Sequence, residues 1–251
     1  MKSSDIIEAL ERFFLDIIGT IIPGFSFLCG IWLILKLPTT LLEISLVPPD
    51  NLFESVIILT FSYIAGHFVI SLGHVTSTLL FDSIADKLSG FKKFRNKFPH
   101  FISNSKLMEE IFVSKTYLEF NNTIKQKYGF DKSISEKSSD VRSLRNIALS
   151  TVPVDGHVIH RFMFISLFNM GMSINIICLL VVYVINKIAH IIPNYHCYSY
   201  MDLIYLALSI LISLMVSFLF LERRYSFYKR AMNTPFSMAL MRIKTDLQKG
   251  T

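Results

Sequence analysis

Apolar residues gather into four long runs, at 13–37, 53–81, 162–185 and 203–221. Between the second and third runs the pattern changes to short amphipathic stretches separated by polar ones. A helix of about 20 apolar residues crosses a bilayer, so each run is expected to span. The second run is the least uniform. From Phe61 to Asp82 it contains no Lys or Arg, yet His67, Ser71 and His74 fall on one face at helical spacing, with Thr60 and Thr78 on the same line. Polar groups in hydrocarbon are costly and turn toward other helices or water. Gly66 and Gly73, with Ser62 and Ser77, let neighbouring backbones come close. This helix is expected to need partners, in a bundle or an oligomer. Ser166, Asn169 and Ser173 make a second polar stripe on the third run, and Ser209, Ser213 and Ser217 make a small-residue ridge on the fourth.

The rest of the pattern predicts further elements. Ser3-Ser4-Asp5 with Glu8 caps a short amphipathic helix leading into the first run, where Pro23-Gly24 predicts a kink and Asp16 reads as a hydrated acid at the membrane edge. Pro48-Pro49-Asp50-Asn51 marks a turn in the first connection. Within 83–160, Ile111–Tyr128 and Ser135–Leu149 have helical spacing, with a polar loop at Gly129–Ser139.

Charge then orients the chain. The 251 residues are 52% hydrophobic, with 22 Phe, a membrane composition. Residues 83–160 hold 13 Lys/Arg against 8 Asp/Glu, and 222–251 hold 7 against 2, so these two segments carry 20 of the 25 bases. The connections at 38–54 and 191–202 contain none. The positive-inside rule therefore predicts a cytoplasmic insert, cytoplasmic termini and two outward connections. The expected architecture is an all-α membrane protein with four transmembrane helices, a small helical cytoplasmic insert between helices 2 and 3, and oligomeric assembly. The expected divisions are 1–82, 83–160, 161–222 and 223–251. Met1–Arg12, with three acids and two bases, lacks the layout of a signal peptide.

Candidate chemistry is sparse. In Phe91-Lys92-Lys93-Phe94-Arg95-Asn-Lys97-Phe98, cations alternate with aromatic rings. That combination suits single-stranded nucleic acid, whose phosphates want cations and whose bases want flat faces. Lys125, Lys127, Tyr128, Arg142 and Arg145 extend the basic surface. The competing reading is contact with anionic lipid headgroups. His67 and His74, seven residues apart, lie about 10 Å from each other along a helix, too far to share one ion within a chain. Pore lining and interhelical hydrogen bonding remain as readings of that stripe. His157 and His160, three apart with Asp155 just before them, have metal-like spacing but no Glu in the usual general-base slot and no further ligand to match, and eleven residues separate Arg145 from His157, too long a gap for an Arg–His ribonuclease motif. Cys29, Cys178 and Cys197 make neither a disulfide framework nor a zinc site. No catalytic constellation is visible, and no metal or cofactor is expected.

Four helices, a basic insert after the second and a basic-aromatic tail (Glu222–Arg230) resemble, in layout, the small membrane effectors of bacterial anti-phage systems, nearest the channel effector of Hailong-type defence. The resemblance implies an ion channel in the bacterial inner membrane and a cytoplasmic crown, here 83–160, that binds single-stranded DNA made by a partner nucleotidyltransferase. The resulting expectation is a homo-oligomer, for instance a tetramer, surrounded by membrane lipid and gated by a nucleotide or oligonucleotide signal. A membrane-embedded histidine-dependent enzyme and a scaffold recruiting a soluble partner are the rival readings.

Overall fold

The computed structural model describes residues 3–35, 52–76, 104–128, 141–152, 156–191 and 200–249. All regular secondary structure among them is helical: α1 (Ser3–Leu35), α2 (Leu52–Val75), α3 (Asn104–Phe112), α4 (Lys115–Tyr128), α5 (Val141–Thr151), α6 (Gly156–Ile191) and α7 (Tyr200–Lys249). Three helices are long and apolar enough to cross a membrane, over Phe53–Val75, Val158–Ile188 and Ile204–Asp246, and α1 carries a shorter apolar stretch, Gly19–Leu35.

Several boundaries differ from those the pattern predicts. The capped segment and the first apolar run are one helix of 33 residues that continues through Pro23. The helical stretch predicted over Ile111–Tyr128 starts earlier and is interrupted at Val113–Ser114. There the Ser114 hydroxyl accepts from the Tyr117 backbone N–H at 3.3 Å, a cap that opens α4. α6 begins at Gly156, ahead of the apolar run. The fourth run and the basic tail form a single 50-residue helix, with Pro235 inside it. The Gly129–Ser139 loop and the turn at Pro48–Asn51 lie outside the described residues.

The chain forms two compact units. Unit 2 comprises 13–75 and 167–224. Its packing rests on close backbone approach rather than on a large apolar core, as expected where lipid is as apolar as the side chains. A Cβ on Gly24 would strike the Ser62 carbonyl and the Gly66 nitrogen, and a Cβ on Gly66 would strike the Thr20 carbonyl. Thr20 and Gly24 on α1 thus face Ser62 and Gly66 on α2, two small residues four apart on each helix. Polar groups reinforce the contacts with α6. Asn175 Nδ2 donates to the Pro23 carbonyl at 3.3 Å and to Ser26 Oγ at 2.6 Å, and Asn186 Nδ2 donates to the Ile34 carbonyl at 2.8 Å.

Unit 1 comprises 1–12, 76–166 and 225–251, and it is held together differently. Leu107 and Ile111 of α3, Tyr117 and Phe120 of α4, Val141, Leu144 and Ala148 of α5, and Met232, Phe236, Ala239, Leu240 and Ile243 of α7 close on one buried apolar core. Phe236 is its centre, with its ring 5.3 Å from Tyr117 and 5.4 Å from Phe120. The insert and the tail, separate divisions by sequence, share this core.

Candidate functional site

The polar stripe of α2 is fixed by what the opposite face does. Ser62, Gly66, Val69 and Gly73 are buried, and they share the face that meets α1 and α6. A helix that commits this narrow face inward must turn the residues about 180° away outward. Thr60, His67, Ser71 and His74 are all exposed on the single chain. Tyr63 stands beside His67 with its ring edge-on at 4.4 Å, and Thr60 returns its hydroxyl proton to the Val56 carbonyl at 2.7 Å. The surrounding exposed side chains are apolar: Phe61, Ile64 and Phe68. The stripe is therefore a narrow polar track on an apolar, outward face. Thr78 and Ser77 lie outside the described residues.

The second stripe has the opposite placement. Ser166, Asn169 and Ser173 are buried. Ser173 and Ser217 share a hydrogen bond between hydroxyls at 2.8 Å, and Ser217 also lies 3.3 Å from the Ser173 carbonyl. Of the small ridge on α7, Ser217 faces this contact, whereas Ser209 donates back to the Leu206 carbonyl at 2.8 Å.

The basic-aromatic stretch Phe91, Lys92, Lys93, Phe94, Arg95, Lys97 and Phe98 lies outside the described residues. The rest of the predicted basic surface divides by position in unit 1. Lys125 is half-buried on α4, Lys127 and Tyr128 form that helix's last turn, and Arg142 is exposed on α5. Arg145 is turned inward. Its Nε donates to the Ala231 carbonyl of α7 at 3.2 Å, and burial pushes its pKa below the ordinary arginine value. It ties the insert to the tail helix.

Sequence reasoning missed the residues that complete this tie. Tyr225 donates its hydroxyl to Glu110 at 2.6 Å, and Lys229 donates to the same carboxylate oxygen at 2.8 Å. Burial pushes the Tyr225 hydroxyl up, and its bond to Glu110 adds to the shift. Lys244 pairs with Glu119 at 2.6 Å. Arg230 lies 5.6 Å from the Phe227 ring, which in turn lies 6.2 Å from Phe162. A signal was present: Met232, Phe236, Ala239, Leu240 and Ile243 recur at helical spacing and mark an inward face in the tail.

Cys29 and Cys178 are free thiols, half-buried in unit 2. Among the described residues, no group of three or more His, Cys, Asp or Glu side chains gathers to hold a metal. His160 is exposed near the start of α6. Compared with known proteins, the chain matches no protein-family model, no curated protein and no solved structure.

Proposed function

We propose that the chain is the subunit of an oligomeric membrane channel whose cytoplasmic unit senses an anionic nucleotide or single-stranded oligonucleotide. The observation that carries the reading is the α2 stripe. A single chain leaves Thr60, His67, Ser71 and His74 on an outward face, between residues that belong in hydrocarbon. In a bilayer such a track needs water or another polar surface. Copies arranged about an axis with α2 inward supply a water-filled lumen at one stroke. In this reading α1 supplies the fourth crossing, over 13–37, the termini and insert are cytoplasmic, and the membrane is the bacterial inner membrane.

The ligand site is the basic surface of unit 1, from Phe91–Phe98 through Lys125, Lys127 and Arg142. Gating follows from chain connectivity. The insert joins α2 to α6 directly, and its core includes the same helix, α7, that carries the fourth apolar run. A ligand that favours one arrangement of unit 1 therefore biases three membrane helices at once, the differential contact that coupling requires. The layout resemblance adds a role in anti-phage defence by depolarisation, with the signal made by a partner nucleotidyltransferase.

The test has two stages. Protein purified in mild detergent should carry absorbance at 260 nm that nuclease removes, or acquire it on incubation with a short single-stranded oligonucleotide. In planar bilayers it should conduct, and His67→Leu with His74→Leu should change unitary conductance while the oligomer persists on size exclusion. Absence of conductance with and without oligonucleotide would refute the channel.

A further inference from the structure

Unit 2 contains an open groove of about 330 Å³ that the channel reading does not use. It is lined by Ile34 of α1, Ile176, Leu179 and Tyr183 of α6, and Ser209 and Ser213 of α7. All lie within a few turns of the end of α1, the end of α6 or the start of α7. The lining is apolar in effect, because Ser209 has already spent its proton on the Leu206 carbonyl. One turn beyond Tyr183 stands Lys187, with Nζ 5.9 Å from the Tyr183 ring centroid. Lys187 is the penultimate residue of the apolar span Val158–Ile188, and it is one of only five bases outside the insert and tail.

We propose that this groove binds one acyl chain of an anionic phospholipid, with the lipid phosphate on Lys187. A lysine at the end of a span extends to headgroup depth, and a tyrosine beside it sits at the interface. The pair therefore places the mouth of the groove where a lipid changes from phosphate to hydrocarbon. The volume is at the low end of ligand sites, which suits one chain rather than a whole lipid. A second copy of this protein would bring the exposed apolar stretches 56–75 of α2 and 204–221 of α7, which contain no acid themselves; the acids at their ends are Glu54, which is already engaged in its own chain, and Asp202. A phospholipid brings both the apolar chain and the anion.

The chain's single tryptophan, Trp32, lies two residues from Ile34 and so on the other side of α1 from the groove. Trp32→Phe combined with Tyr183→Trp moves the one indole into the groove lining, next to Lys187. This variant would be reconstituted in phosphatidylcholine nanodiscs doped with phosphatidylglycerol or phosphatidylcholine bearing a brominated acyl chain, and quenching of its tryptophan followed against mole fraction. Brominated phosphatidylglycerol should reach half-quenching at about fivefold lower mole fraction, the factor that about 1 kcal/mol per basic contact corresponds to. Lys187→Gln should abolish that preference, and Ser213→Phe, which fills the groove, should reduce quenching by both lipids. Equal half-quenching by the two lipids before either of these further substitutions would overturn the site. So would a preference that survives both substitutions. Spontaneous disulfide dimers of Ser213→Cys, with Cys29, Cys178 and Cys197 replaced by Ala, would put a second copy in the groove and overturn it too. None of these readouts depends on conductance, so the site stands or falls apart from the channel.

Discussion

Single residues set how closely the helices of unit 2 approach, and the glycines there are not equivalent. A methyl group on Gly66 meets the Thr20 backbone carbonyl, which cannot move without moving α1. On Gly73 it meets Met170 Cγ at 3.0 Å and Ile174 Cγ1 at 3.1 Å, both on flexible side chains. Gly66→Ala should therefore destabilise by about 1–3 kcal/mol, the cost of overpacking, and Gly73→Ala by less. Denaturation in a graded detergent mixture would read the difference, and equal midpoints would count against the close packing of α1 and α2. The same scale separates two arginines close together on α5. Arg145 holds the Ala231 carbonyl from a half-buried position, whereas Arg142 is exposed. Arg145→Ala should destabilise the protein by about 1–3 kcal/mol, the cost of leaving a partly buried carbonyl without its donor, and so lower the melting temperature. Arg142→Ala should leave the melt unchanged and weaken oligonucleotide binding. A melt shift in Arg142→Ala equal to that in Arg145→Ala would contradict this division.

At the scale of elements, α7 is the informative case. Its first half exposes Tyr205, Leu208, Leu211 and Met215, and its second half buries Met232, Phe236 and Leu240. One helix thus carries an exposed apolar surface and a core-facing surface in succession, with no loop between them. Two ion pairs fasten the second half to the insert, Lys229 with Glu110 and Lys244 with Glu119. Donation from Lys244 and its charge hold the Glu119 carboxyl below its ordinary value of 4.5. A carboxyl lowered on folding stabilises the folded state above its unfolded pKa, and that contribution is lost as pH falls through the folded value. The Glu119–Lys244 contribution is therefore present at neutral pH and disappears below about 4.5. The pair is exposed, so the effect is small. Glu119→Gln should melt slightly lower than the unaltered protein at neutral pH, with the two curves converging in acid. A constant gap across the whole pH series would show that the carboxylate charge is not what matters there.

For the molecule as a whole, the two units rest on different physics. Unit 1 buries a core of large apolar and aromatic side chains, which water drives together. Unit 2 relies on small residues and on hydrogen bonds such as Asn175 to Pro23 and Ser173 to Ser217, which lipid cannot replace. Under the proposed function unit 1 is the ligand-binding unit, and its basic surface would then give binding a salt signature. Each lost phosphate contact on single-stranded nucleic acid flattens the slope of log K against log salt by about 0.7. The combined change of Lys92, Lys93, Arg95 and Lys97 to Ala should weaken oligonucleotide binding and flatten that slope by roughly 3. An unchanged slope would move the site elsewhere on unit 1.

Hydropathy determined the helical class and the three helices long and apolar enough to cross a membrane, because each follows from local composition and period; the fourth expected crossing carries only the shorter apolar stretch Gly19–Leu35. The small residues at 62, 66 and 73 also marked a packing face directly, since only close backbones need them. The two polar stripes looked alike in sequence, hydroxyls with imidazoles in one and with an amide in the other, both at three- and four-residue spacing. Only the tertiary structure turned Ser166, Asn169 and Ser173 inward and left His67, Ser71 and His74 outward, because a stripe's direction depends on which other face finds a tight partner. The tail's membership in the insert's core was likewise a tertiary decision. Its apolar period was visible, but the faces that would receive Phe236 lie on α3, α4 and α5, a hundred residues away in the chain, and no local rule joins them.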